Sequence, residues 1–179
     1  MTENTHNGWK LLTLVGPDRP GIVAEVSRVL YGAGAELGEA SMMRLGGVFT
    51  IMLMVRLPEN ENVVDLKGLL ESVRNEFNLR VHVDEVGAGL HRHVEPDVRI
   101  TVHGADRAGI VAEVTGALAR AGLNILDLRS DVAGSREQPI YIMTIEGVAQ
   151  QGYEALESAL AGLSKDIRVT LSPVDIVRG

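Results

Sequence analysis

An eleven-residue block occurs twice in this chain, and that repetition limits the possible folds more than any other feature. Gly16-Pro17-Asp18-Arg19-Pro20-Gly21-Ile22-Val23-Ala24-Glu25-Val26 returns as Gly104-Ala105-Asp106-Arg107-Ala108-Gly109-Ile110-Val111-Ala112-Glu113-Val114. Only the positions of Pro17 and Pro20 change, and the offset is 88 residues in a chain of 179. Equivalent residues continue outside the block as Thr13/Thr101, Leu30/Leu118, Ala33/Ala121 and Gly34/Gly122. A repeat on this scale marks two copies of one folding unit rather than one large core. The expected organisation is a first domain over residues 1–87, a linker over 88–97 and a second domain over 98–179. The linker, Gly87 to Asp97, is polar and holds two glycines and a proline, as connecting segments do.

Each copy carries the same order of apolar patterns. Lys10 to Val15 is a short apolar run closed by Gly16-Pro17, which predicts a strand buried on both faces. Ile22, Val23, Val26, Val29, Leu30 and Ala33 form one helical stripe, with Pro20 at its start and Gly34 at its C-terminal cap. Two strands follow, Leu37–Arg44 and Val48–Leu57, turned by Gly46-Gly47. Leu66, Leu69, Leu70, Val73 and Phe77 mark a second helix, and Leu79–Val86 a closing strand. The second copy reads the same way over 98–103, 110–121, 124–132, 140–147, 153–163 and 167–172. The predicted class is α+β: two ferredoxin-like βαββαβ sandwiches, each a four-stranded antiparallel sheet with two helices on one face.

Composition removes several functions. There is no Cys, so no disulfide framework, thiolate metal site or Cys nucleophile exists. The net charge is −7 and no Lys/Arg block occurs, which opposes direct nucleic-acid binding. An RNA-recognition motif shares the element order but needs aromatics on its central strands, and Trp9, Phe49 and Tyr141 are scattered. No apolar run reaches the length of a membrane span and no secretory signal is visible, so the expected location is the cytoplasm. His91-Arg92-His93 reads as solvated linker rather than a metal pair, and His103 as a surface histidine at a strand end. No nucleophile elbow or readable catalytic pairing is present, so neither catalysis nor a cofactor is expected.

The repeated block has chemistry of its own. It joins a strand to the start of a helix, where free backbone N–H groups and a partial positive charge favour a carboxylate. Gly21 and Gly109 let the backbone approach a ligand. Asp18 and Asp106 admit two readings: side-chain caps of the helices, or acceptors for a ligand ammonium.

A strand ending in Gly-x-Asp-Arg-x-Gly-Ile-Val and opening a helix inside a βαββαβ unit resembles the ACT domain. Two such domains filling Trp9 to Val177 resemble the glycine cleavage system transcriptional repressor group. Similar domains stand at the N-terminus of formyltetrahydrofolate deformylases and some phosphoserine phosphatases. The resemblance implies a small effector bound between two domains, the loop of one facing the second strand of the other. Carried over, the site residues are Asp18, Arg19, Gly21 and Ile22, then Asp106, Arg107, Gly109 and Ile110, with Asn124 and Ile125 at the start of the second copy's second strand. Glu36 aligns with Asn124 and would repel a carboxylate, so the resemblance favours the site that uses Asn124.

Met42, Met43, Met52 and Met54 crowd the second and third strands, with Met52 and Met54 expected to point away from the helices. Uncovered apolar surface of this kind marks an interface. Either the other copy or a second chain in a homodimer can cover it. The expected function is a non-enzymatic regulator that senses an amino acid or related metabolite and acts through a protein partner, a transcription factor or an enzyme. The resemblance suggests control of glycine or one-carbon metabolism. The alternatives are a detached regulatory subunit of a metabolic enzyme and a ligand-free interaction module.

Overall fold

Strand–helix alternation with short turns makes each half of the chain close on itself. The computed structural model describes residues 8–58, 65–86, 94–105, 108–135 and 139–174. The chain divides into two compact units, Met1–Arg92 and His93–Gly179.

In the first unit the order is β1 (Trp9–Pro17), α1 (Ile22–Gly32), β2 (Glu36–Leu45), β3 (Val48–Arg56), α2 (Leu66–Leu69), α3 (Glu71–Phe77) and β4 (Arg80–Glu85). The second unit repeats it as β5 (Val98–Ala105), α4 (Ile110–Arg120), β6 (Leu123–Gly134), β7 (Pro139–Ala149), α5 (Tyr153–Ala161) and β8 (Ile167–Pro173). The sheets run β2-β3-β1-β4 and β6-β7-β5-β8, with every pairing antiparallel. This is the predicted ferredoxin-like arrangement, present twice.

Alternation along β1 decides which side is core. Leu12 and Leu14 are buried and pack with Ile22, Val26 and Leu30 of α1. Ile100 and Val102 of β5 do the same with Ile110, Val114 and Leu118 of α4. Among the described residues no polar or charged side chain is buried. Each core therefore rests on apolar burial within its own unit, at roughly 25 cal/mol per Å² of area removed from water.

Three expectations need correction. The strand β1 is not buried on both faces: Leu12 and Leu14 on the helix side are buried, while Leu11, Thr13 and Val15 on the other side are half-buried, because helices cover only one face of the sheet. The second helix of the first copy is not continuous. Leu70, at φ −92° and ψ 8°, separates α2 from α3, although Leu66, Leu70 and Val73 still bury one stripe. Gly68, a poor helix former, lies in α2. Met54 does lie on the face away from the helices, but Trp9, Val86 and Leu11 cover it. Among the described residues the exposed methionines are Met42, Met43 and Met52.

Candidate functional site

The β1–α1 loop is built around a left-handed glycine. Gly21 sits at the N-cap of α1 with φ 93°, and Gly109 sits at the N-cap of α4 with φ 89°. A Cβ would meet nothing within 4 Å at either glycine, so backbone conformation rather than space requires them there. Neither helix start has a side-chain cap. Asp18 is thus not the cap of α1, one of its two sequence readings. Its carboxylate pairs instead with Arg44 of β2, and its backbone N–H donates to the Gly47 carbonyl at 3.0 Å. The loop is held against the β2–β3 hairpin rather than against its own helix.

Register explains that contact. Phe49 lies opposite Gly16 on β1 and opposite Arg44 on β2. Met42, opposite Ile51, shares the helix-facing side with Arg44. A groove of about 530 Å³ forms here, lined by Asp18, Arg19, Gly21 and Ile22 together with Val23, Ala24, Met42 and Phe49. The structure therefore gathers the first four predicted residues at one groove. Ile22 is buried and packs in the core, while Arg19 is exposed. Sequence reasoning placed neither Arg44 nor Phe49 at this loop. The signal was the two-residue turn Gly46-Gly47, whose positive φ angles of 57° and 79° set the hairpin register.

In the second unit Asp106 and Arg107 lie outside the described residues, as do His91, Arg92 and His93. Ile110 is a core residue, and Ile125 packs against the same core. Asn124 is exposed on β6, opposite Val148. It stands near the end of the sheet where Val98 pairs with Gly147, whereas Gly104 pairs with Tyr141 at the other end. The eleven residues of α4 also separate Gly109 from Asn124, about 16 Å at 1.5 Å per residue. One unit thus does not bring Gly109 and Asn124 together. In the first unit the aligned Glu36 is engaged by Arg56, which also lies 5.0 Å over the Trp9 ring.

One titrating group lies on the first helix turn behind the loop. Arg28 donates to the Glu25 carboxylate and holds it below the usual carboxylate range. The pair's contribution is therefore present above the unfolded-state pKa of Glu25 and is lost as pH falls through the lower folded value. Urea midpoints of wild type and Arg28→Gln, followed by Trp9 fluorescence, should differ slightly near neutral pH and converge in acid. A gap that widens in acid contradicts this.

Comparisons with known proteins agree with the geometry. Residues 10–84 match one ACT domain model and residues 98–163 match another. A UPF0237 protein of Methanopyrus kandleri is 33% identical over 85 residues, which is 46% of this chain and 94% of that protein. One from Methanococcus maripaludis is 27% identical over 84 residues, covering 46% of this chain and 93% of its own. Among solved structures, an unknown protein from Galdieria sulphuraria is similar with a TM-score of 0.77 and 23% identity, over 94% of this chain and 99% of that one. Another, described as a proposed glycine cleavage system transcriptional repressor, is similar with a TM-score of 0.66 and 18% identity, over 93% of this chain and 96% of its own. No described helix is long and apolar enough to cross a membrane.

Proposed function

Because this chain belongs to the ACT domain family in both of its halves, we propose that it is a non-enzymatic regulatory protein that senses an amino acid or related small metabolite. The observation that carries this reading is the repeated loop. Twice, at equivalent places, a strand ends and a left-handed glycine opens an uncapped helix. Such a helix start leaves backbone N–H groups for a carboxylate. The loop residues of both copies are the ligand residues of this proposal, with Asn124 contributed from β6 of a facing domain and residues 88–97 as the linker.

The ligand acts by its differential affinity for two arrangements, since equal binding to both would shift nothing. The element that can exist in two arrangements is the pairing of one ACT sheet with another, within the chain or in a homodimer. Exposed Met43 and Met52, on the face of the sheet away from the helices, support such a pairing, because adaptable apolar side chains suit a contact surface. The output passes to a protein partner in the cytoplasm. Transcriptional control of glycine or one-carbon metabolism extends the proposal, on the description of one structural neighbour. Direct DNA contact is not part of it, since the net charge of −7 opposes phosphate binding.

A thermal-shift screen of the full chain against the amino acids tests the reading. Ligand at 100 times its Kd should add about 2.7 kcal/mol, which raises Tm by several degrees. Gly109→Val and Asn124→Ala should weaken that shift. If no amino acid, glycine and serine included, moves Tm, the sensor reading fails.

A further inference from the structure

Each unit has a groove between its second helical segment and its closing edge strand, and the two grooves are lined with different chemistry. Leu70-Glu71-Ser72 returns as Leu156-Glu157-Ser158, and Leu70 and Leu156 are both buried, so the helices correspond residue for residue there. Register fixes the strands: Arg80 stands opposite Val15 of β1, and Arg168 opposite His103 of β5. In the second unit the groove holds about 340 Å³ and is lined by Glu157, Leu160 and Ala161 of α5 with Ile167, Val169 and Leu171 of β8. In the first unit it holds about 500 Å³, and Arg74 and Asn75 take the positions of Leu160 and Ala161. Lys67, at the position of Tyr153, lines it too, with Asn78 and Arg80. Tyr153 ties its helix to the strand, its hydroxyl donating to the Leu171 carbonyl at 2.9 Å, whereas Lys67 is exposed. The second unit forms the same fold with a largely apolar lining, so the fold does not require the cations of the first.

We propose that this groove of the first unit binds a small organic phosphate, a phosphorylated metabolite without an aromatic base. Lys67 and Arg74 supply two positive charges, and the amides of Asn75 and Asn78 supply further donors. A phosphomonoester matches them with a charge of about −1.5 to −2 and three acceptor oxygens. A monocarboxylate would leave one of the two cations unmatched. Arg74 is free to turn to a ligand at little cost. Its present partners are the Glu71 carboxylate at 3.6 Å and the Asn75 side-chain oxygen at 3.3 Å, both exposed. Lys67 and Arg80 enter no ion pair among the described residues. The volume exceeds what an inorganic phosphate fills and lies in the range of small-molecule sites. No aromatic ring lines the groove, and its apolar residues are Leu79, which is buried, and Val81, which is half-buried. A base would find nothing to stack on, so the rest of the ligand is hydrophilic, as in a polyol or sugar phosphate. The inference is separate from the sensor reading. The groove lies along the edge strand β4, whereas the Asp18–Arg44 contact involves β2, at the opposite edge of the sheet.

Calorimetric titration of the full chain provides the test. The probes are glycerol 3-phosphate and ribose 5-phosphate, compared with inorganic phosphate, glycerol, succinate and adenosine 5′-monophosphate. A phosphate ester should bind at least tenfold more tightly than inorganic phosphate, glycerol or succinate, and its affinity should fall as salt is added. Adenosine 5′-monophosphate should gain nothing over ribose 5-phosphate. Arg74→Leu, which copies the second unit, and Lys67→Gln should each weaken the ester at least tenfold, while the Trp9 unfolding midpoint shows that the first unit remains folded. Arg129→Gln removes the same charge from the second unit and should leave affinity unchanged. Full affinity in Arg74→Leu and Lys67→Gln overturns the proposal, and so does an equal loss in Arg129→Gln, which would mean general charge attraction. Succinate binding as tightly as the esters, or much tighter binding of adenosine 5′-monophosphate, overturns the ligand class. Absence of binding by either ester ends the inference, and the amino-acid screen above decides the sensor reading independently.

Discussion

Replacing Leu12 by Ala should destabilise the first unit by about 2–5 kcal/mol, the range for truncating a buried leucine and leaving a cavity. Leu12 is fully buried on the central strand β1, among Ile22, Val26 and Leu30 of α1 and Leu53 and Val55 of β3. A domain of roughly 80 residues holds only about 4–12 kcal/mol in total. The loss is thus a large share of what the unit has. Each core draws on residues of its own unit, so the second unit should keep its stability. The single tryptophan makes this separable. Trp9 lies in the first unit and is covered by Met54 and Val86, so its fluorescence follows that unit, whereas far-UV circular dichroism follows both. In urea, Leu12→Ala should move the fluorescence transition to lower denaturant and split the dichroism curve in two. Ile100→Ala, at the equivalent place on β5, should do the reverse, shifting the dichroism curve and sparing the fluorescence midpoint. Coincident and equal shifts by both probes would mean that the halves unfold as one unit.

The same separation of cores explains why so much of the fold was legible in the sequence. Strands and amphipathic helices were read from local periodicity, and the repeat supplied each assignment a second time. Ile22, Val26 and Leu30 fall on one helix stripe, so period located that side of the core, whereas β1, read as an apolar run buried on both faces, instead alternates, with Leu12 and Leu14 buried between half-buried neighbours. Hairpin chemistry was equally local, since Gly46-Gly47 announces its own turn. What escaped depends on partners distant in the chain. Asp18 preceding a helix reads as an N-cap, yet its carboxylate goes to Arg44 on another strand. Nothing within the loop encodes that preference. It follows from a register that puts Arg44 beside Phe49 and Phe49 beside Gly16. The methionines illustrate the same point. Their alternation showed which face Met54 takes, but only the fold shows Trp9 and Val86 lying over it. The candidate site was therefore legible in its loop and illegible in its walls.

Gly147→Ala should destabilise the second unit by about 1–3 kcal/mol, the usual cost of overpacking a close-packed site, and should disturb Asn124 as it does so. Gly147 is paired on both sides, with Val98 of β5 and Ile125 of β6. The pairing of β6 slips between Ile125 and Asp127, so β6 has one residue more than its partner at this point. There the backbone of β6 approaches β7 closely. A Cβ on Gly147 would lie 2.4 Å from the Asn124 carbonyl oxygen and 3.1 Å from Leu123 Cδ1. The first of these is backbone, so no rotamer change relieves it, and either β6 or β7 must move. The first unit meets the same geometry differently. Its β2 also slips, between Leu37 and Ala40, but the residue opposite Leu37 is Val55, which is fully buried in the core. A side chain is thus accommodated at one bulge and excluded at the other, although the eleven-residue block hardly differs between copies. The expected readout is a lower urea midpoint by circular dichroism with Trp9 fluorescence unchanged. Asn124→Ala, which keeps the glycine, should leave that midpoint nearly where it was. An unaltered midpoint in Gly147→Ala would show that β6 yields at the bulge without cost. The start of β6 would then be too compliant to hold Asn124 as a fixed ligand contact.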